Sequence, residues 1–440
     1  MLLKIQLPFS VQTIELQPSL KGNKVSILIG ENGTRKSYLL RQVLEDGLAS
    51  IAGELALGKN FFSHPPSKII ALSALPSDRF PSKNTYFDHL KKTKFDVAEY
   101  TYIGPRTARN IISRNQSARE LIASVFLNLE ALKKKGRFIS EICEKVGVST
   151  FVSFDLRVHS SVAESSDKEK IAVRLFDNIK KLSAQGTAKE SFEEIFASLR
   201  KLEEYVHRQK LMNSPNVYPL AFKVWVDLER GQVDYDGVDP TVLEFGFRHD
   251  LLRASRITFE GGKSHEDLST GQWASFSTLS AVALSVQNNS LILIDEPENG
   301  LHPLWQQEYV QNILSAIEHV KGCHVLIATH SPLILSSLPV DNSDCIVLGR
   351  SGGEVFADLK ISPSGWDSNS LLEGAFSLKS PRGPELTDLV NSALKMISKG
   401  ASKNKGELRN IAASLKMYRE SLPETDMLKE IINSIIEISK

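Results

Sequence analysis

The sequence has little of what would place it outside the ordinary globular class. Only three cysteines, Cys143, Cys323 and Cys345, occur in 440 residues, far apart and in no metal or redox spacing. An odd, scattered set argues against a disulfide framework and fits a reducing cytoplasm. No apolar run approaches the roughly 20 residues of a membrane helix. The opening MLLKIQLPFSVQTIELQ alternates like a first strand, without the apolar core and small-residue cleavage site of a signal peptide. Membrane attachment and a fused transporter are therefore not expected. Net charge is missing too: the formal sum is +1, so no global basic field announces nucleic acid. Internal repeats and long low-complexity tracts are absent. After His330 no Asp-x-Asp pair or histidine-rich cluster supplies the metal carboxylates of a fused nuclease.

What is present is a balanced composition, 41% hydrophobic and 24% charged, over a length that allows two or three domains with cores of their own. KVSILIG at Lys24–Gly30 is a short, β-branched apolar run, and Leu40, Val43, Leu44 and Leu48 follow it at helical spacing. Residues 68–74 and Tyr100–Ile103 read as further strands of a first lobe, residues 1–109. A mostly helical insertion is expected at 110–215, with Phe192, Ile195, Phe196, Leu199, Leu202 and Val206 on one stripe and a strand-like piece at Phe151–Val158. Its heptads are too brief for a long coiled coil. Strand patterns resume at 221–228, 256–259, 290–294 and His324–Ala328, giving a second lobe at 216–375. The segment 376–440 reads as helical, with Leu428, Ile431, Ile432, Ile435 and Ile436 forming an apolar face for its own head or another subunit. Two short basic runs, at 91–94 and 133–137, are read as solvated surface or weak DNA contacts.

Four elements carry chemistry. Gly30-Glu31-Asn32-Gly33-Thr34-Arg35-Lys36-Ser37 lies between a strand and a helix, the context in which backbone N–H groups turn onto phosphates. Lys36 would reach the β- and γ-phosphates, and Ser37 would join a Mg²⁺ shell. Arg35 stands where glycine usually precedes the lysine, placing a side chain where backbone approaches ligand. LILIDE at 291–296 delivers Asp295 for the metal and Glu296 as general base for the attacking water. Leu268-Ser269-Thr270-Gly271-Gln272 opens a helix whose positive end forms a second anion site. His330 ends the run VLIATH, at the same sheet edge as the carboxylates. Any one of these has a bland reading, as a turn, a strand end or a helix cap; their order and context make coincidence improbable.

Together the loop, signature pentapeptide, paired carboxylates and histidine resemble the ABC-type ATPases. The stretch Asp295-Glu296-Pro297-Glu298-Asn299-Gly300-Leu301-His302-Pro303 is most similar to their recombination and anti-phage branches. IIALSALPSDRF at 69–80 and YTYIGPR at 100–106 look like the ATPase subunits of Septu defence systems, also found in retron operons. The resemblance implies an α/β P-loop head, a mixed β-sheet flanked by helices, with a helical insertion and a C-terminal helical extension. It further implies ATP and Mg²⁺ as cofactors and a homodimer of heads, or a higher homo-oligomer. In such a dimer Ser269, Gly271 and Gln272 act in trans on the partner's loop and His330 senses the γ-phosphate. An HNH-type nuclease subunit is the implied partner, with DNA engaged through the complex. No plain glutamine loop is found, and Gln116 is the candidate. Two alternatives stay open: a recombination-type DNA-repair ATPase binding DNA directly, and an ATP-locked structural dimer with little turnover.

Overall fold

The computed structural model describes residues 2–8, 10, 12–17, 22–54, 60–82, 93–106, 114–158, 168–182, 191–212, 221–234, 239–249, 251–351, 354–360, 370–371, 382–398, 405–424 and 426–439. They fall into two compact units, Met1–Gly365 and Trp366–Lys440. In chain order the strands are β1 (Leu2–Gln6), β2 (Thr13–Glu15), β3 (Lys24–Gly30), β4 (Phe61–Phe62), β5 (Ile69–Ser73), β6 (Tyr100–Ile103), β7 (Phe151–Val158), β8 (Ala221–Asp227), β9 (Gln232–Asp234), β10 (Leu252–Phe259), β11 (Leu291–Asp295), β12 (His324–Ala328), β13 (Ser343–Ser351) and β14 (Glu354–Lys360). The helices that matter below are α1 (Lys36–Ile51), α2 (Arg114–Leu127), α3 (Leu129–Val146), α4 (Lys168–Leu182), α5 (Phe192–Met212), α6 (Pro240–Arg248), α7 (Thr270–Ser285), α8 (Pro303–Ala316) and α9 (Pro332–Ser336). The second unit holds α10 (Pro384–Ser398), α11 (Lys405–Ser421) and α12 (Leu428–Ser439).

The first unit is α/β, as expected, and is built on a seven-stranded sheet in the order β14-β13-β3-β12-β11-β5-β6. Every neighbouring pair is parallel except β13 with the edge strand β14. Strands covered on both faces need continuous apolar runs, and β3, β11 and β12 are buried at every position. Because β3, β12 and β11 are neighbours, their carboxyl ends bring the residues after Gly30, Asp295 and Ala328 to one edge, the place where open α/β sheets bind ligands. At the opposite, amino-terminal end of these strands, β3, β12 and β13 share a buried polar seam. Lys24 Nζ lies 2.5 Å from Asp344 Oδ2, with side chains only 2% and 3% exposed. Ser26 Oγ lies 2.8 Å from His324 Nε2 and 3.2 Å from Asp344 Oδ2. Burial, with the Lys24 charge next, drives the His324 imidazole down to about 3. It is therefore neutral in the folded protein at ordinary pH.

A small antiparallel sheet, β2-β1-β4, lies apart from the main one, and β10-β7-β8-β9 forms a third. In that third sheet, β7 from the expected insertion pairs with strands expected in the second lobe, so hydrogen bonds run across the 215/216 boundary. The strand expected at 256–259 begins earlier, at Leu252, because an irregularity between Ala254 and Arg256 breaks its alternation. The stripe on α5 packs by Ile195, Leu199 and Leu202, and Phe192 stacks on Phe196; Val206 lies outside the described side chains. The basic run on α3 is engaged within the chain: Lys133 pairs with Glu130, Arg137 with Glu141, and buried Lys135 lies 3.8 Å from Glu318. Three of its four cations thus have a carboxylate nearby, while Lys133 and Arg137 remain exposed, as the solvated-surface reading has it. Of the other run, Lys94 pairs with Glu45, while Lys91 and Lys92 lie outside the described residues. Among the described residues no helix is long and apolar enough to cross a membrane.

The second unit is a three-helix bundle. Leu386, Val390, Ala393, Leu408, Ala412, Leu415, Leu428, Ile432 and Ile435 form its core, and Arg382 grips Asp426 through two 2.8 Å hydrogen bonds. The apolar face expected on α12 thus packs within its own bundle, with Ile431 left 42% exposed.

Candidate nucleotide site

The strand β3 runs directly into the phosphate loop. At Gly30 a Cβ would run into the Leu348 carbonyl of neighbouring β13, so only glycine lets the loop leave the sheet there. Thr34 closes the turn, its Oγ donating to the Glu31 carbonyl at 2.8 Å. Arg35 is the N-cap of α1 with φ 67° and ψ 28°. This left-handed backbone is what glycine supplies freely, and it costs another residue about 1–2 kcal/mol. The sequence departure at Arg35 is therefore a real local strain.

The Lys36 ammonium is buried and folds back over the loop, donating to Gly30 O at 2.9 Å and Glu31 O at 3.3 Å. Burial presses its pKa down to about 8, against the pull of Glu296, Asp295 and Glu298. Ser37 Oγ donates to Asp295 Oδ1 at 3.1 Å, joining loop and β11. Burial raises the Asp295 carboxyl to about 7, with Glu296 and Asp78 adding to the rise and the Ser37 bond and Lys36 opposing it. Three carboxyl groups thus surround one ammonium, an arrangement that favours arrival of a further cation. Among the described residues no group of three or more His, Cys, Asp or Glu could hold a metal by itself. Mg²⁺ binds through one or two carboxylates while phosphates and waters complete its octahedron. Ser37 and Asp295 are the residues that fit it.

Glu296 follows Asp295 with a positive φ of 46°. Its N–H donates to Ala328 O at 2.8 Å, and Asn299 Nδ2 donates to its carbonyl at 3.0 Å and its Oε2 at 3.3 Å. His330 Nε2 lies 3.3 Å from Glu296 Oε1. Burial and the Lys36 charge hold His330 below the usual histidine range, with Glu296 pulling the other way. Lys36, Ser37, Asp295, Glu296 and His330 are thereby linked by contacts and charge, as the sequence pattern leads one to expect.

Three further residues escape pattern reading. Buried Glu298 accepts from Thr329 Oγ1 at 2.8 Å and from the His330 N–H at 2.5 Å, so it sets the backbone from which the histidine projects. Asn299 fixes Glu296. Asp78 accepts from Tyr102 Oη at 2.7 Å and the Phe80 N–H at 2.8 Å, and pairs with Arg106. The stretches 69–80 and 100–106 therefore meet at one buried carboxylate, close enough to perturb Asp295. Glu298 and Asp78 lie in stretches that carry the family resemblance, but their roles come from partners distant in sequence. Gln116 bonds Glu120 on its own helix at 2.8 Å and is engaged there.

The signature pentapeptide is built as a helix start. Ser269 Oγ accepts from the Gln272 N–H at 3.2 Å and Gln272 Oε1 accepts from the Ser269 N–H at 3.0 Å, a reciprocal capping box on α7. Gln272 Nε2 also donates to Val146 O at the end of α3, at 2.9 Å. Gly271 sits so close to the Gly300 carbonyl that a Cβ would collide with it. In this chain Ser269, Gly271 and Gln272 thus engage α7, α3 and the Gly300 turn, and among the described residues none of their hydrogen bonds runs to Lys36, Ser37, Asp295, Glu296 or His330.

A parallel-dominated sheet with a phosphate loop, paired carboxylates and a histidine on one edge is the arrangement of a P-loop ATPase head, and with the helix-capping pentapeptide it resembles the ABC type. Its sequence is PtuA-like. Septu protein PtuA of Bacillus mycoides (strain KBAB4) is 25% identical over 165 residues, 35% of this chain and 23% of that protein. The chain thus spans less than a quarter of that relative's length. Residues 222–336 match the family described as "AAA domain, putative AbiEii toxin, Type IV TA system". Solved structures similar to the chain include UvrA2 from Deinococcus radiodurans (14% identity, TM-score 0.28, 76% of this chain and 33% of that one). Another is the Smc head domain with an extended coiled coil bound to the C-terminal domain of ScpA from Pyrococcus furiosus (10% identity, TM-score 0.29, 82% and 96%).

Proposed function

We propose that the chain is the regulatory ATPase of an anti-phage defence complex, controlling an associated HNH-type nuclease through nucleotide-dependent pairing of two heads. The observation that carries the reading is the split of the site. Lys36, Ser37, Asp295, Glu296 and His330 assemble on one edge, while Ser269, Gly271 and Gln272 engage elsewhere. A helix start that presents amides and a hydroxyl is an anion site, and a second copy of the chain would bring it onto the phosphates.

In this mechanism the loop amides and Lys36 hold the β- and γ-phosphates. Ser37 and Asp295 would hold Mg²⁺, which would supply positive charge to offset the phosphates. Glu296, steadied by Asn299, accepts a proton from the attacking water. His330 moves from Glu296 toward the γ-phosphate, its backbone fixed by Glu298. The partner head's Ser269 completes the shell, so the closed dimer depends on the γ-phosphate and opens after its loss. The relationship to PtuA supports the defence role and the nuclease partner.

The test is cleavage of DNA by the complex with the nuclease subunit, using two variants. Glu296→Gln is expected to retain ATP and stall with heads closed, whereas Lys36→Ala should lose ATP and stay open. The two should displace nuclease activity in opposite directions from wild type. Equal effects from both, or none, would refute nucleotide control.

A further inference from the structure

The outer face of the third sheet carries a feature that the ATPase cycle does not use. Successive strand residues alternate between faces. Val152, Phe154 and Leu156 of β7, Val224 and Val226 of β8, and Ala254, Ile257 and Phe259 of β10 are buried on the inner side. The opposite face exposes Arg157, Lys223, Trp225, Arg253 and Arg256. Arg253 and Arg256, three apart, would point to opposite faces of a regular strand. The irregularity between Ala254 and Arg256 pairs Arg253 with Arg157 and Arg256 with Asp155, which puts both arginines on the same side.

Two observations distinguish this face from an ordinary solvated sheet. First, Arg157 and Arg253 lie directly across from each other in the ladder, a like-charge pairing that weakens a sheet. Among the described residues neither has a carboxylate partner, and Arg119 of α2 adds a third positive charge near Arg253. Lys223 and Arg256, by contrast, have Asp155 and Glu266 within 3.8 Å and 3.5 Å. Second, Phe151 and Trp225 stack on this face, with ring centroids 5.3 Å apart and planes 12° from parallel, yet Trp225 remains 38% exposed. Uncompensated arginines call for an anion, and an open aromatic stack calls for a flat apolar group. A single strand of nucleic acid offers both, phosphates for the cations and unstacked bases for the rings.

We infer that this face binds single-stranded nucleic acid, with phosphates near Arg157 and Arg253 and a base stacked on Trp225. The inference is independent of the ATP reading, since none of these residues belongs to the nucleotide site.

The probe is a fluorescein-labelled 20-mer of deoxythymidine, titrated with the full chain by anisotropy at several salt concentrations. Wild type should bind, with affinity falling as salt rises. Arg157→Ala with Arg253→Ala should lower the salt slope by about 0.7 for each cation removed. Trp225→Ala should weaken binding about 5- to 150-fold, the worth of one stacked base, and leave the slope in place. Binding of a labelled ATP analogue should be unchanged in both variants. The arginine variant's melting temperature should hold or rise, because a repulsion has been removed. No binding by wild type at low salt, or binding that these variants leave intact, would overturn the proposal. So would duplex DNA binding as tightly as the single strand. Displacement by polyglutamate as effective as by unlabelled oligonucleotide would show an acidic-protein surface instead, and equally refute it.

Discussion

The Glu298 carboxylate accepts two hydrogen bonds from the segment that presents His330, one from Thr329 Oγ1 and one from the His330 backbone. Glu298→Gln keeps the shape but replaces one acceptor oxygen by an NH₂ group; turned toward Thr329 Oγ1, it makes that hydroxyl accept instead of donate and leaves the hydroxyl proton without its acceptor. Leaving a buried donor unpaired costs about 1–3 kcal/mol. That penalty falls on the arrangement His330 must adopt against a γ-phosphate, so turnover should drop about 5- to 150-fold. Glu298 touches neither the loop amides nor Ser37, and ATP affinity should change by less than about threefold, under 1 kcal/mol. Phosphate release at saturating ATP measures the first quantity, and titration with a fluorescent ATP analogue the second. Burial raises the Glu298 pKa, against the pull of the His330 and Thr329 hydrogen bonds. Turnover within twofold of wild type, in a variant that melts normally, would refute the claim that Glu298 positions the switch histidine. A selective loss of ATP binding would refute it as well, placing the residue in the loop's support instead.

Two further substitutions test the frame around the site. Arg35 sits at φ 67°, so Arg35→Gly should be more stable to urea than Arg35→Ala by about 1 kcal/mol, reversing the usual helix order; the ordinary order would mean that the backbone there is not left-handed. His324 is held at about 3, well under its unfolded value near 6.5. The unfolded chain therefore takes up the proton first, so this stability is present above pH 6.5 and lost as pH falls toward 3. Linkage at about 1.4 kcal/mol per pH unit gives a loss of about 2 kcal/mol between pH 7.5 and 5. His324→Gln should flatten that part of the slope in urea unfolding of the full chain. Parallel slopes for variant and wild type would contradict the buried neutral imidazole.

Much of the architecture was legible because its central strands are buried on both faces. KVSILIG, LILID and HVLIA can be read as strands without alternation, and each ends in the residue that opens a site segment. The β13–β14 hairpin gave no such signal, since β14 lies at the sheet edge and carries exposed Phe356 and Leu359 among its polar residues. The start of β10 was hidden by the shift at Ser255, which breaks the period of two that identifies a half-buried strand. On α12 the apolar residues were evident, but which of them face inward depends on α10 and α11. Leu428, Ile432 and Ile435 are buried while Ile431 turns outward. In the site, spacing identified the residues that would meet ATP. It did not identify those that hold them, because Glu298 and Asp78 act through approaches from other segments and Asn299 through the turn that follows Glu296. The basic run on α3 shows the converse: a conspicuous local pattern has carboxylates beside three of its four cations, Glu130, Glu318 and Glu141, which spacing alone does not reveal.

The central claim is that one chain supplies the loop and carboxylates and a second chain supplies the signature. Mixing two inactive variants tests it most directly. Lys36→Ala removes the loop's lysine, and Ser269→Arg places a bulky cation at the signature; each should be inactive by itself. In a two-fold dimer with random exchange, half the dimers of an equal mixture are mixed, and each of those contains one intact composite site. ATP hydrolysis should therefore recover to about a quarter of the wild-type rate. No recovery, with subunit exchange verified by differently tagged chains, would contradict a site shared between two heads.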